Sequence, residues 1–256
     1  QREFFQTNRT RDLKFRAAQL RKLQRIVKAH EQDVMEALAA DLGKSTFEAY
    51  TSEFGVIIDE IDEALASLKS WAKPRRVRTP LVLLPSSSKI LVEPKGVCLI
   101  IGPWNYPFQL IFAPLIGAIA AGNCAVLKTS EMAPVTARLV AKLVSEAFSP
   151  DFVAVVEGGV PQATQCLQQR FDHIFFTGSV PVGRIVMKAA AEHLTPVTLE
   201  LGGKSPCLVV AISIWMSRRK GLFGASFITP ARPALRPITC LSTTPFAGNF
   251  SSAWPC

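Results

Sequence analysis

The sequence has few of the residues that build metal sites and disulfide frameworks. It contains three histidines and six cysteines in 256 residues, and no two cysteines form a CxxC pair. Structural zinc sites need such ligands at short spacing, so we predict no metal site. Cys98, Cys124 and Cys207 lie in apolar, strand-like runs, which favours reduced, buried thiols in a cytoplasmic protein.

Long apolar runs are also missing. A membrane-spanning helix needs roughly 20 apolar residues, whereas the longest candidate here, residues 110–121, is shorter and contains Pro114. Residues 1–25 are polar and basic, unlike the apolar centre of a signal peptide. We therefore predict no transmembrane segment and a cytoplasmic location.

Acidic residues are absent after Glu200. The formal net charge of +9 would by itself suggest a nucleic-acid or membrane-surface binder. However, five basic residues lie after residue 210, and without them the charge falls from +9 to +4. Because the basicity belongs mainly to the tail, we predict no nucleic-acid partner.

Hydrophobic periodicity divides the chain into three parts. Residues 11–41 and 47–71 show the three-to-four spacing of amphipathic helices, and Gly43 is a helix stop signal between them. From residue 88, short apolar runs alternate with helical stretches, which indicates an α/β fold with a doubly wound, Rossmann-like parallel sheet. We predict N-terminal helices and a basic connector over 1–87, a dinucleotide-binding α/β domain over 88–210, and an aberrant tail over 211–256.

The alternation gives explicit boundaries. The predicted strands are residues 89–93, 96–101, 124–128, 153–157, 174–176, 197–200 and 207–210. The predicted helices between them are residues 108–121, 134–148, 162–170 and 182–193. Ligands bind beyond the carboxyl ends of strands in such sheets, so chemistry is expected in the loops that follow these runs.

Two of those loops carry polar side chains in suggestive places. Asn105 lies in a loop stiffened by two prolines and two aromatic residues, where its amide could donate to an oxyanion or cap the following helix. Lys128 and Glu131 lie three residues apart at a strand end. They could hold a diol such as ribose, or they could be two surface charges.

Two further loops combine glycine with a polar residue. The segment 176–183 contains Gly178, Ser179 and Gly183, and Pro181 suits a first helical turn. A helix that begins there favours an anion, although a short glycine loop alone is weak evidence. Glu200 precedes two glycines. In a partly dry setting it could act as a general base; alternatively, it caps a helix or forms an ion pair.

Taken together, the four segments resemble one family. PWNYP (103–107), LKTSE (127–131), FTGSxxxG (176–183) and LELGGKSP (199–206) follow one another as in the aldehyde dehydrogenase superfamily. The flanking RFDHIFFTGS (170–179) resembles its class 3 branch, which includes fatty and aromatic aldehyde dehydrogenases. The resemblance covers about residues 1–210 and implies an incomplete aldehyde dehydrogenase fold. It also implies an aldehyde substrate, NAD or NADP as cofactor, and a homodimer in the full-length form.

The resemblance implies a role for each matching residue. Asn105 would donate to the oxyanion, and Glu200 would be the general base that activates the deacylating water. The cofactor-binding residues would be Trp104, Lys128, Glu131, Gly178, Ser179 and Gly183, with Lys128 and Glu131 at the adenosine ribose. Three residues in these loops depart from the family pattern: Thr129 replaces proline, Val180 replaces threonine and Pro181 replaces glycine.

The family's nucleophile is a cysteine in a GQTC-type segment beyond the general base, and no such segment occurs in this chain. Cys240 lies at a comparable distance but has different neighbours. Synonymous codons can, however, be chosen for residues 227–241 so that the same nucleotides, read from two positions later, encode His-Tyr-Ser-Gly-Gln-Thr-Cys. We therefore predict that the tail is frameshifted or disordered, and that the chain is inactive as written. The alternative function is that of a non-catalytic dinucleotide-binding fragment.

Overall fold

A computed structural model describes residues 1–83, 85–204, 207–209 and 240–242, the last two segments by their backbone alone. The chain divides into two compact units, Gln1–Leu201 and Gly202–Cys256. The first unit contains the helices and the large sheet, and it carries every site residue predicted above.

The first unit opens with a series of helices. They are α1 (Arg2–Gln6), α2 (Leu13–Ala29), α3 (Glu31–Leu42), α4 (Thr46–Ala49) and α5 (Gly55–Trp71). A 3₁₀ turn at Arg9–Arg11 precedes α2, and a π-helical turn at Tyr50–Phe54 joins α4 to α5.

The prediction of one helix over residues 11–41 is wrong, because the chain breaks at His30. His30 has φ −111° and ψ 25°, outside the helical region, and it separates α2 from α3. Its ring contacts the carboxylates of Asp33 (2.7 Å) and Glu146 (3.1 Å), which stabilises the break. Gly43 ends α3 in the left-handed conformation, with φ 66°, as predicted.

The strand predicted over residues 89–93 does not join the main sheet. Instead, β1 (Arg75–Val77) pairs antiparallel with β2 (Ser88–Ile90), with a 3₁₀ turn at Leu81–Leu83 between them. Most residues of both strands are exposed. A parallel sheet covered on both faces needs strands that are buried throughout, so this hairpin cannot belong to one.

Five parallel strands form the main sheet. They are β3 (Val97–Ile101), β4 (Cys124–Lys128), β5 (Val153–Val156), β6 (His173–Gly178) and β7 (Val197–Leu201), in the order β5-β4-β3-β6-β7. The connecting helices are α6 (Gln109–Ala121), α7 (Pro134–Ala147), α8 (Val160–Leu167) and α9 (Val180–Ala191). The chain runs outward from β3 to β5 and then returns to the other side of β3, which confirms the doubly wound α/β prediction.

The N-terminal helices pack directly on the sheet's helices. Arg16 of α2 donates to the carbonyl oxygen of Ala120 at the end of α6 (3.1 Å) and to that of Thr10 (2.7 Å). Gly122 follows α6 with φ +86°, and a Cβ atom there would lie 2.6 Å from the Arg16 guanidinium. Burial lowers the pKa of Arg16. A buried side chain of α2 therefore satisfies a carbonyl group that the end of α6 leaves unpaired.

In the second unit, β8 (Cys207–Val209) pairs in parallel with β9 (Cys240–Ser242). The rest of the predicted tail, and the side chain of Cys240, lie outside the described residues. Across the described part of the chain, no helix has the length and apolar character needed to cross a membrane.

Candidate active site at the carboxyl edge of the sheet

The strand order places all the predicted site residues at one edge of the sheet. Strands β3 and β6 are neighbours, but the chain leaves them toward opposite sides. On doubly wound sheets, ligands bind at such a switch point, in a crevice beyond the carboxyl ends of the two strands. The ends of β4, β6 and β7, the loops after β3 and β4, and the start of α9 supply the residues: Trp104, Asn105, Lys128, Glu131, Gly178, Ser179, Gly183 and Glu200.

Lys128 is the last residue of β4, and it is 2% exposed. Its Nζ donates to the carbonyl oxygens of Thr129 (2.5 Å) and Gly158 (2.6 Å) and lies 4.0 Å from a carboxylate oxygen of Glu131. Burial lowers the pKa of Lys128, and the Glu131 charge partly opposes this. The alternative of two surface charges is therefore wrong for Lys128, which links two strand-end loops.

Glu131 completes this corner of the site from the more open side. Its side chain is 49% exposed and lies beside Gly159, where a Cβ atom would approach the carboxylate to 3.8 Å. The glycine leaves space next to the carboxylate. A buried ammonium and an accessible carboxylate thus lie at the carboxyl end of β4, a donor and an acceptor suited to a diol.

The start of α9 provides backbone donors. Ser179 is its N-cap residue, with extended backbone (φ −79°, ψ 151°) and no side-chain capping bond, and Pro181 lies in the first turn as predicted. Gly183 allows the helix to approach the sheet, since a Cβ atom there would lie 2.9 Å from Cδ2 of Leu201. An uncapped N-terminus of a 12-residue helix at the crevice favours an anion such as a phosphate.

The loop between β3 and α6 holds Trp104 and Asn105, both partly buried. The alternative that Asn105 caps α6 is wrong. The N-cap residue of α6 is Phe108, and it makes no side-chain capping bond. The backbone N–H groups of Phe108 and Gln109 donate instead to Oε2 of Glu53, at 2.9 and 3.1 Å. The Asn105 amide is therefore not used to cap this helix.

Glu53 and its partner Lys44 were missed by the sequence analysis. Lys44 Nζ lies 2.5 Å from Glu53 Oε1, and the two side chains are 1% and 0% exposed. Burial raises the pKa of Glu53, while Lys44 opposes the shift. One signal was present: Glu53 lies four residues before Ile57 on the apolar stripe of α5, which places it on the buried face.

Glu200 lies near the end of β7, where it is exposed. It pairs across the sheet with Thr177 of β6, whose hydroxyl is buried without a hydrogen-bond partner. The alternative of helix capping does not apply to a strand residue. Glu200 lies at the carboxyl edge of the sheet as predicted, but the described residues do not give it the partly desolvated environment that was expected.

Three thiols of the first unit are unsuited to nucleophilic attack. Cys98, Cys124 and Cys166 are free and buried. Burial raises the pKa of Cys98 to about 12 and that of Cys124 to about 11, and it also raises the pKa of Cys166. At neutral pH, roughly one Cys124 in ten thousand would be a thiolate, the species that attacks carbonyl carbons.

The described residues contain no cluster of three or more His, Cys, Asp or Glu side chains that could hold a metal ion. A surface pocket of about 790 Å³ lies between the end of α5 and the β1–β2 hairpin, lined in part by Trp71, Arg75 and Arg76. None of the predicted site residues lines it.

Comparisons with known proteins identify the family of the chain. Residues 2–213 match the family model described as "Aldehyde dehydrogenase family". The chain is 50% identical over 206 residues to 4,4'-diaponeurosporen-aldehyde dehydrogenase of Staphylococcus aureus, covering 80% of this chain and 45% of the relative. It is 50% identical over 208 residues to aldehyde dehydrogenase family 3 member A2 of Macaca fascicularis, covering 81% and 43%. The chain therefore spans less than half the length of these relatives.

Solved structures show the same fold. The substrate-bound state of AldH from Staphylococcus aureus superposes with a TM-score of 0.94 at 43% identity, covering 98% of this chain and 55% of that one. A betaine aldehyde dehydrogenase mutant of Staphylococcus aureus in complex with NAD⁺ superposes with a TM-score of 0.87 at 23% identity, covering 98% and 51%. The more distant structure bears on the fold alone.

Proposed function

Because the chain belongs to the aldehyde dehydrogenase family, we propose that it supplies the cofactor-binding half of an NAD(P)⁺-dependent enzyme that oxidises an aldehyde to a carboxylic acid. One observation supports the proposal: the eight predicted site residues lie at the carboxyl ends of β4, β6 and β7 or in the segments that directly follow β3, β4 and β6, all at one edge of the sheet. Such a crevice is where dinucleotides bind on doubly wound sheets.

The residues at the crevice fit a dinucleotide. The uncapped start of α9, with Gly178 and Ser179 leading into it, suits the pyrophosphate. Lys128 and Glu131, 4.0 Å apart beside Gly159, suit the hydroxyls of the adenosine ribose. Trp104, in the loop after neighbouring β3, completes the proposed contacts. When bound, the nicotinamide supplies the acceptor for the aldehyde's hydride.

Asn105 and Glu200 provide the proposed chemistry on this chain. The Asn105 side-chain amide donates to the aldehyde oxygen as negative charge develops on it. Glu200 removes a proton from the water that releases the acid. The reaction also needs a thiolate nucleophile, and the buried thiols Cys98, Cys124 and Cys166 do not suit that role.

We further propose that these 256 residues bind the dinucleotide without turnover, as a non-catalytic fragment. The family match ends at residue 213, close to the point where the strand–helix alternation stops. This supports reading residues 211–256 as an aberrant tail. Homodimerisation of the full-length form and a cytoplasmic location are further predictions, as is the choice between NAD⁺ and NADP⁺.

The test separates binding from turnover. NADH fluorescence titration of the chain should show saturable binding. Glu131→Gln should weaken it because a ribose acceptor loses its charge, whereas Glu60→Gln, an exposed change on α5, should not. Absorbance at 340 nm with NAD⁺ and medium-chain or aromatic aldehydes should show no NADH production. Failure to bind NADH would refute the dinucleotide site, and robust turnover would refute the assignment of the chain as non-catalytic.

A further inference from the structure

A buried ion pair connects the N-terminal helices to the loop that carries Asn105. Lys44 lies in the turn between α3 and α4, and Glu53 lies in the π-helical turn before α5. Neither side chain is accessible to solvent beyond 1%, and Nζ and Oε1 are 2.5 Å apart. Local π-helical geometry occurs often at functional sites, and here it carries the carboxylate of this pair.

Both members of the pair hold the backbone of the Asn105 loop. Lys44 Nζ donates to the Asn105 carbonyl oxygen at 3.3 Å and lies 4.1 Å from the centroid of the Tyr106 ring. The second oxygen of Glu53 accepts the N–H groups of Phe108 (2.9 Å) and Gln109 (3.1 Å). The pair therefore contacts four residues within a five-residue stretch, on both sides of Pro107.

Stability alone does not account for such a pair. Removing two charges from water is expensive, and well-packed apolar side chains of similar volume are often neutral or stabilising replacements. Apolar side chains could fill the space, but they could neither accept the two N–H groups nor hold the Asn105 carbonyl group. The contacts that apolar replacements would lose are those that hold the backbone of the Asn105 loop.

We propose that Lys44 and Glu53 are positioning residues that set the orientation of Asn105 at the crevice. The inference rests on the proposed role of Asn105 as the donor to the aldehyde oxygen. Lys44 fixes the peptide plane that follows Asn105, and Glu53 fixes the start of α6 three residues later. The Asn105 side-chain amide therefore extends from a backbone segment that is held on both sides.

Two double variants separate the two contacts. Lys44→Met with Glu53→Gln removes both charges but keeps an amide oxygen that can accept from Phe108 and Gln109. Lys44→Met with Glu53→Leu removes the acceptor as well. Lys142→Met with Asp33→Asn is the matched control, because it neutralises an ion pair with half-exposed side chains, 3.3 Å apart, between α7 and α3.

Amide hydrogen exchange of the full chain gives the first readout. In the Lys44→Met/Glu53→Leu variant, protection of the Phe108 and Gln109 amides from exchange should fall about tenfold, as expected for the loss of a charge-assisted hydrogen bond. In the glutamine variant it should largely be retained. Amides of β4 and α7 should change less than twofold in both variants, and the control should leave the loop unchanged.

The NMR signals of the Asn105 side-chain amide give the second readout, which would not change if Lys44 and Glu53 only stabilised the fold. The ¹H–¹⁵N resonances of this amide, assigned by their loss in Asn105→Ser, should shift toward those of a solvent-averaged asparagine in both double variants. Unchanged Asn105 side-chain resonances in a folded Lys44→Met/Glu53→Gln variant, or unchanged protection of Phe108 and Gln109 in a folded Lys44→Met/Glu53→Leu variant, would overturn the proposal. NADH binding by the unaltered chain tests the dinucleotide site separately, so the two failures are distinguishable.

Discussion

Asp41, near the end of α3, caps the N-terminus of another helix, α7. Its replacement gives a quantitative test of how this contact stabilises the loop that carries Glu131. The two carboxylate oxygens of Asp41 accept the backbone N–H groups of Val135 (3.1 Å) and Thr136 (2.7 Å). These N–H groups open α7, whose own N-cap residue, Ala133, has no capping side chain. The start of α7 also ends the loop that carries Glu131.

The expected loss on Asp41→Ala follows from these contacts. Removal of a capping side chain destabilises by about 0.5–2 kcal/mol, and loss of a negative charge at a helix N-terminus adds about 0.3–1 kcal/mol. We expect the free energy of unfolding to fall by about 2 kcal/mol. For a unit of this size, that corresponds to a decrease in Tm of roughly 4–8 °C. NADH binding should weaken because the Glu131 loop loses its anchor.

Urea denaturation followed by circular dichroism measures the change. Asp41→Asn, which keeps one acceptor oxygen, should lie between the parent and the alanine variant. Asp33→Ala is the control, since its side chain is 45% exposed and exposed ion pairs contribute little to stability. An Asp41→Ala variant within about 0.5 kcal/mol of the parent, the range typical of plain surface substitutions, would refute the reasoning.

Three further predictions address the site, the pH dependence and the tail. Gly183→Val should push α9 away from Leu201 and weaken NADH binding. Gly117→Ala should leave NADH binding unchanged, because a Cβ atom at this mid-helix position has no neighbour within 4 Å. Equal NADH affinities of the two variants would contradict the packing argument. Burial lowers the pKa of His173, so below about pH 6.5 the unfolded chain takes up this proton first and stability falls with acidification. His173→Gln should flatten that fall in denaturation curves between pH 6.5 and 5, and an unchanged slope would exclude His173 as its source. Nucleotide sequencing of the segment that encodes residues 227–241 should reveal Gly-Gln-Thr-Cys in the alternate frame, and its absence would end the frameshift hypothesis.

The sequence predicted the main sheet closely because buried parallel strands read as short apolar runs. The run 124–128 matches β4 at both ends, and Gly43 ends α3 as expected. The hairpin β1–β2 was misassigned, since its short apolar run is not distinguishable from a core strand by composition. The break at His30 was missed because periodicity continues across it while the backbone does not.

The site was predicted as a set of loops rather than as a set of contacts. Lys128 is buried and bound to two carbonyl groups, which no spacing rule reveals. The roles of Lys44 and Glu53 depend on a contact with a loop more than fifty residues away in sequence. Such long-range pairing of charges leaves little local pattern, apart from the place of Glu53 on an apolar stripe.

The strand order has a consequence for how the molecule assembles. Strands β3, β4 and β5 pair in the order in which they are synthesised, each through a single intervening helix. Strand β6 must then return past them to pair with β3, for example Cys98 with His173, and such distant pairing is slow to form. The crevice between β3 and β6 forms only after these two strands have paired. Acquisition of NADH fluorescence during refolding should therefore lag behind the helical signal, and the dinucleotide would serve as a kinetic probe of sheet completion.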